Sequence, residues 1–466
     1  MFKKAVIIII FTCLVIFGSG YFLAKAYPNF NASQTENNEM AEVELEFWGL
    51  WDNSDDWKKI IEAYEKKTYQ FNGRHVNVKI NYTKKDYAQY RQEIEKAQDS
   101  GKNPNIFFIN NYWFDEYKDD LEPLSGNLAY EEEYKLLSYD DVLDIFSEKT
   151  IIDFVDNDLL YGVPLYSDSL ALFYNKDLFQ TAGIEGPPNS WIELKADVKK
   201  LTVFGEKETI SQSGLAFGTG LNVNRASDIL SLLIMQGGGK VIDGSGNVSL
   251  GKEIEVNTTE GIEIRNPGKR AISFYSEFSD PSKESYSWNS DQKNSVQSFA
   301  EGKLAMMIGY SYQIRNLLSI NPDLNYAVAQ MPQLENSTRI NFSNVFSPVV
   351  SKDNNCKVEP VELTADVDCR KIAWSFLSFA IEKDNSELYL NSTGKAAARK
   401  DLIKNQIRED KDLGVFAFQA DSAISYQKFS DEIDNILVKM VDDINSEREK
   451  IDEKIDEAVK KIEDLR

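Results

Sequence analysis

The sequence predicts a large α/β protein, and three observations carry that reading. The chain has 466 residues, room for roughly three domains at about 150 residues each or for two larger lobes. Apolar residues make up 42% of it against 27% charged, enough to bury a real core, so wholesale disorder is excluded. The first folded segment alternates strand and helix patterns without interruption.

In that segment VELEFWG (43–49) has period two, with Val43, Leu45 and Phe47 on one face. Asn53 and Ser54 can cap a helix in which Trp57, Ile60, Ile61 and Tyr64 recur at helical spacing. VNVKINY (76–82) reads as a second strand, Asp86 to Asp99 as a second helix stopped by Gly101, and NIFFIN (105–110) as a third strand. Such βαβαβ units build a parallel sheet, and ligands collect beyond the carboxyl ends of its strands.

The middle repeats the style less regularly. SLALFYN (169–175) reads as a strand, and after Pro187 and Pro188 a capping box at Ser190 and Glu193 opens a helix through Trp191, Leu194, Val198 and Leu201. A helix around Ala226 to Gln236 stops at Gly237, Gly238 and Gly239. Helices near Asp291 to Ala300 and Tyr312 to Ser319 flank the strand LAMMIGY (304–310). Late helices run over 372–383 and from about Ser430 to the end. In the last, Ile433, Leu437, Met440, Ile444, Ile451, Ile455, Val459 and Ile462 form a narrow apolar stripe, suited to its own domain or to a partner coiled coil.

Residues 1–30 place Lys3 and Lys4 before an apolar run from Ala5 to about Ala24, which reads as an export segment. A run of that length spans a bilayer as an uncleaved anchor, the preferred reading, while Ala24, Lys25 and Ala26 offer a cleavage site as the alternative. Cys13 lies in the run without the small residues that precede a lipidated cysteine. Residues 31–41 read as a polar tether. An oxidising compartment lets Cys356 and Cys369 pair, worth roughly 3 kcal/mol for so short a loop; the alternative is two free thiols.

Composition removes several functions. With 52 Lys and Arg against 75 Asp and Glu, the net charge of −23 repels phosphate backbones, so nucleic acid is not expected as a partner. A single histidine, His75, leaves His-based catalysis, His metal clusters and Ser/His/Asp triads almost nothing to work with. No cofactor or metal is expected. The glycines at 237–239 follow a helix instead of opening one, and STGK (392–395) lacks the upstream glycine of a phosphate loop. DGSGN (243–247) has Ile254 where a calcium loop needs Glu. Paired carboxylates for glycoside cleavage stay open, because their separation is a property of the fold.

Aromatic residues are abundant, with 7 Trp, 22 Tyr and 26 Phe, and they recur at strand ends. FWGLWD (47–52) closes the first strand, where Trp48 shares the parity of Glu44 and Glu46; it is a ligand platform or a buried structural indole. Asn110, Asn111, Tyr112 and Trp113 occupy the equivalent end of the third strand. YGVPLYSDSLALFYNKDLF (161–179) puts Tyr166, Asp168, Leu170, Leu172 and Tyr174 on one parity. One face then presents a carboxylate between phenols, a set that accepts hydrogen bonds from sugar hydroxyls, unless Asp168 is simply a solvated loop residue. Trp288 with Asn289, and Tyr310 with Tyr312, are further candidates that could equally be core.

These segments, together with SGKNPNIFFIN (100–110), AGIEGPPNSWIELKADVKKLT (182–202), SFAEGKLAMMIGYSYQI (298–314) and STGKAAARKDL (392–402), resemble the extracytoplasmic solute-binding proteins of ABC importers. Within that family the likeness is to the large sugar-binding group that includes maltodextrin-binding proteins, and it runs from about Val43 to the C-terminus. The resemblance implies a two-lobed periplasmic-binding-protein-like fold with mostly parallel sheets and a hinge between the lobes. Lobe 1 would be 42–166 plus 347–392 and lobe 2 would be 167–346 plus 393–466, with crossings near Tyr166–Ser169, Asn344–Ser347 and Asn391–Gly394. Trp48 and Asp52 would border the cleft from the first strand end and Asn110, Tyr112 and Trp113 from the third. Asp168 would accept sugar hydroxyls at the crossing, and Tyr174, Tyr310 and Tyr312 would stack on the sugar, with Trp288 and Phe346 as further contacts.

The function so implied is capture rather than turnover: a monomer outside the cytoplasm, tethered to the membrane by its N-terminal segment, binds a carbohydrate ligand and docks on ABC permease transmembrane subunits. The sequence departs from the family pattern in lacking a lipidation cysteine. The rival functions are a glycan-cleaving enzyme built around Asp168 and a surface glycan receptor without transport. The acidic balance disfavours uronic acids, which Arg225 or Arg315 could offset locally.

Overall fold

The computed structural model describes residues 40–71, 74–124, 139–243, 245–258, 261–335, 337–353, 355–420, 423–424 and 431–465. The expected anchor or signal segment, Cys13 and all but the last two residues of the tether lie outside them. Among the described residues no helix is long and apolar enough to cross a membrane.

Strand β1 (Ala41–Gly49) buries Ala41, Val43, Leu45 and Phe47 on one face. It runs parallel to β2 (Arg74–Lys84), from Ala41 opposite Val76 to Gly49 opposite Lys84. Between them α1 (Ser54–Glu65) starts from a capping box of Asn53 and Asp56 and buries Trp57, Ile60, Ile61 and Tyr64. Helix α2 (Tyr87–Asp99) is capped by Asp86, whose side chain accepts from the Ala88 N–H. It leads to β3 (Ile106–Asn110), parallel to β1 on its other side. Phe47 anchors this lobe's core, with ring centroids 4.8 Å from Trp57 and 5.1 Å from Tyr82, and with Phe108 and Phe376 around it.

The chain leaves through β4 (Asp168–Ser169) and enters a second sheet at β5 (Ala171–Asn175). Helix α3 (Trp191–Leu201) opens as its capping pattern predicts: Ser190 accepts from the Glu193 N–H, and the Glu193 carboxylate accepts from the Asn189 N–H. Then follow β6 (Ile210–Leu215), α4 (Ala226–Gln236), α5 (Pro267–Ser276), β7 (Leu304–Gly309) and β8 (Tyr326–Ala329). The second sheet has the order β8-β5-β7-β6, with Val203–Phe204 at its edge. The chain returns through β9 (Ser343–Asn344) to β10 (Phe346–Val350), which joins the first sheet beside β3.

The expectation of mostly parallel sheets needs correction, because both are mixed. Among the described residues of these sheets, only β2-β1-β3 and the pair β6–β7 are parallel. Strands β5 and β10 begin at the crossings, with Ala171 opposite Gly309 and Phe346 opposite Asn110. They therefore run away from the interlobe face toward which β7 and β3 run, and must pair antiparallel. The crossing segments lie side by side: β4 pairs antiparallel with β9, and Tyr166 bridges to Ala397, a few residues beyond the expected third crossing.

Helix α6 (Cys369–Ala380) begins at a disulfide between Cys356 and Cys369, whose Cα atoms are 5.8 Å apart. Helices α7 (Lys383–Thr393), α8 (Lys400–Glu409) and α9 (Leu413–Ala420) follow. The expected single last helix is two, α10 (Asp431–Ser446) and α11 (Ile451–Asp464), separated by a short turn at Arg448–Lys450. They pack on each other and on α4 and α5. That contact buries Ile433, Leu437, Met440, Ile444, Ile455 and Ile462 within the chain itself.

Replacing Phe47, which has no exposed surface, by alanine is expected to cost about 3–5 kcal/mol. Urea unfolding would show this as a lower midpoint at unchanged slope.

Candidate functional site

Three strand ends meet a crossing. Beyond β1 lie Trp51 and Asp52, beyond β3 the turn Asn111–Trp113, and beyond β7 the residues Tyr310, Ser311 and Tyr312. Between the two sheets they enclose a cavity of about 490 Å³. One wall carries Trp51, Tyr87, Tyr112 and Trp113; the other carries Arg225, Tyr310, Ser311, Tyr312 and Asn316. The crossings add Tyr166, Asp168, Asn344, Phe346 and Lys395, and the first turn of α10 adds Asp431 and Asp434.

The walls are aromatic and flat. Trp51 stacks on Tyr87 at 4.9 Å and Tyr87 on Trp113 at 6.1 Å, while Phe346 stands perpendicular to Trp113 at 5.8 Å. Opposite them Tyr310 and Tyr312 stack at 6.2 Å. Trp51 and Tyr312 are 47% and 42% exposed, so ring faces remain open to a ligand.

The polar groups are mostly tied to one another. Both oxygens of buried Asp168 accept from the Ser311 N–H, at 3.1 and 3.0 Å; Oδ2 also accepts from the Ser311 hydroxyl at 2.7 Å, and Oδ1 from the Ser169 N–H. Burial pushes its carboxyl up to about 6 despite those bonds. Asp168, which lines the cavity, thus also ties the first crossing to the end of β7. Asp52, in contrast, sits behind the wall. It takes a bond from the Lys395 ammonium at 2.6 Å and one from the Tyr389 hydroxyl at 2.7 Å, and the ammonium lies 4.0 Å from the centre of the Tyr166 ring. Burial lowers the Lys395 pKa, with Asp52 opposing.

On the second lobe Arg225 holds a left-handed backbone (φ 58°) at the start of α4, a conformation uncommon outside glycine. Its Nε donates to Asp228 at 2.8 Å, and the Tyr310 hydroxyl donates to the same carboxylate at 2.6 Å. Asp434 lies 4.0 Å from the Arg225 guanidinium. Burial first, and Asp228 next, push its carboxyl up to about 7. Asp431 accepts from the Tyr87 hydroxyl at 3.4 Å, across the cavity mouth. Asn110 donates to Asn344 at 2.6 Å and caps the turn that carries Tyr112.

Of the residues singled out from the sequence, Asn110, Tyr112, Trp113, Asp168, Tyr310, Tyr312 and Phe346 line the cavity. Trp48 does not: the Lys85 ammonium covers its ring at 3.7 Å, and Trp51 takes the strand-end place. Tyr174 points into the second lobe against Phe179, because β5 has by then left the crossing. Trp288 is fully buried with its indole N–H on Asn222. Arg315 donates to the Ser392 carbonyl, outside the cavity lining. Missed residues include Tyr87, which the strand-end rule finds as the first residue of the helix after β2, and Ser311, Asn316, Asn344, Lys395, Asp431 and Asp434, for which no local pattern exists. No group of three or more potential metal ligands occurs among the described residues. Asp243 of DGSGN is bound by its own turn, through Ser245 and Asn247.

A family model described as bacterial extracellular solute-binding protein matches residues 51–387. A binding protein of Brucella abortus is 24% identical over 346 residues, 73% of this chain and 74% of its own. A galactooligosaccharide-binding protein of Bacillus subtilis is 23% identical over 420 residues, 89% of this chain and 85% of its own. The structure of a sugar-binding protein from Xanthomonas citri matches with a TM-score of 0.68 at 17% identity, over 91% of this chain and 97% of its own, a likeness of fold.

Lys395→Met leaves Asp52 buried without its cation and is expected to cost about 3–5 kcal/mol, of which Asp52→Asn in the same chain restores part; denaturant midpoints of the two variants check both. For Asp434 the sign follows from a folded-state pKa of about 7 against an ordinary 3.8. Between 3.8 and about 7 the folded protein holds a proton that the unfolded chain has lost, so the cost is absent at low pH, grows across that window and is complete above it. Asp434→Asn should therefore stabilise the protein at pH 8 relative to its effect at pH 5, and a melting difference that does not change with pH would contradict this.

Proposed function

The chain belongs to the bacterial extracellular solute-binding protein family, and on that premise we propose that it captures a sugar or oligosaccharide between its lobes and delivers it unchanged to an ABC permease. The observation that carries this reading is the pair of facing aromatic walls, Trp51, Tyr87 and Trp113 against Tyr310 and Tyr312, around one cavity. Sugars offer C–H faces that pack on rings and hydroxyl rims that need planar donors and acceptors, here Asn110, Asn316 and Asn344. The relatives named for galactooligosaccharide and sugar binding support the ligand class.

In this reading 42–166 plus 347–392 and 167–346 plus 393–466 move as two bodies about the adjacent crossing segments. The closed form docks, as a monomer, on the permease's transmembrane subunits. The family is extracellular, and the N-terminal segment would keep the protein at the membrane. Family and structural neighbours are binding proteins rather than enzymes. The bonds from Ser311 and Ser169 give Asp168 a positional role at the crossing, which favours binding over cleavage built around it. A surface receptor differs only in lacking permease docking.

In a thermal-shift screen over mono- and oligosaccharides, a true ligand at 100 times Kd should add about 2.7 kcal/mol of stability. Mass spectrometry should recover that ligand intact. Tyr312→Ala should weaken it about tenfold, the loss of one stacking ring, without changing the apo melting temperature. Shortened saccharide in the recovered material, or a screen without hits, would refute capture.

A further inference from the structure

The cations lining the cavity are already matched. Lys395 is held by Asp52 at 2.6 Å, and Arg225 by Asp228 at 2.6 Å. Both oxygens of Asp168 are engaged by Ser311 and Ser169. What remains are the two carboxylates that the first turn of α10 turns toward the cavity. Asp431 accepts one long bond from the Tyr87 hydroxyl. Oδ1 of Asp434 is buried with no hydrogen-bond partner, and the nearest guanidinium, at 4.0 Å, is held closer by Asp228.

In and directly behind the lining, among the described residues, the two cations Arg225 and Lys395 therefore face five carboxylates, those of Asp52, Asp168, Asp228, Asp431 and Asp434. The N-terminal amides of α10 offset this by only about half a charge. Burial and then the neighbouring Asp228 push the Asp434 carboxyl up to about 7, against the opposing pull of Arg225 and the Ser227 hydroxyl, as in a crowded acidic site. The excess is placed as well as counted: the Tyr87 bond sets Asp431 beside the Trp51–Tyr87–Trp113 wall. A positive group seated there would meet carboxylate oxygens and ring faces together.

We propose that the ligand is a cationic sugar, an amino sugar or amino-sugar oligomer whose protonated amine sits against Asp434 and Asp431 while its ring packs on the aromatic wall. This rests on the sugar-capture reading above and narrows it. A uronate would add charge of the wrong sign to the site, and a neutral sugar would leave Asp434 unmatched. An organic cation also fits better than a metal ion, since no cluster of metal ligands forms among the described residues.

The test is calorimetric titration of the purified protein with a matched panel: glucosamine, galactosamine and their fully deacetylated oligomers, each beside the parent hydroxyl sugar and the N-acetyl form. At least one amine should bind more than about tenfold tighter than its parent and its N-acetyl form, as a charge-assisted bond in a partly buried site allows. Asp434→Asn should abolish that preference, with an unchanged circular-dichroism spectrum and a cooperative melt reporting that the variant is folded. Asp431→Asn should reduce the preference in part. If neutral sugars bind and no amine outbinds its parent, or if the preference survives Asp434→Asn, the cationic-ligand inference falls and sugar capture stands. If neither the panel nor any saccharide of the wider screen binds, both fall.

Discussion

The ion pair between Asp52 and Lys395 is the constraint on which the rest of the site depends. It joins the end of β1 to the third crossing segment, and with Tyr389 and the face of Tyr166 it fixes where one lobe meets the hinge. Such a pair adds little net stability over a well-packed apolar substitute. Its value here is positional, because a buried ammonium accepts few alternative arrangements once its partner is set. The bonds between Asp168 and Ser311 do the same at the first crossing, tying β4 to the turn after β7.

These two anchors explain why the cavity looks as it does. Three chain segments pass between the lobes, and their buried polar groups must be satisfied from within the protein. Asp52 and Asp168 serve that purpose, so on the proposed reading recognition would fall to the rings, the amides and the carboxylates brought in by α10. Aromatic faces supply contact area without fixed direction. On the same reading, charge beside the rings would supply selectivity.

Local order was largely legible in the sequence. The two-residue period of VELEFWG and the helical spacing of Trp57, Ile60, Ile61 and Tyr64 reappear as burial patterns, since each depends only on which side of an element meets the core. The strand-end rule led to Asn110, Tyr112 and Trp113 for the same reason: a β-strand's carboxyl end faces the crevice whatever the distant chain does. Parity turned Trp48 away from the core face but could not reveal that Lys85 covers it. Extending one parity through Tyr174 failed because the segment changes sheets at the crossing, and the last helical pattern failed to show its break because α10 and α11 carry similar stripes on either side of it.

By itself, then, the sequence determined the α/β class, the elements of the first lobe, the aromatic strand ends and the acidic balance, all of which follow from local period and composition. Tertiary structure alone decided which aspartates are spent and which remain. Asp52 meets Lys395 across 343 positions, and Asp168 meets Ser311 across 143. No local pattern encodes such pairings, because they exist only where separate crossings of the chain are brought side by side.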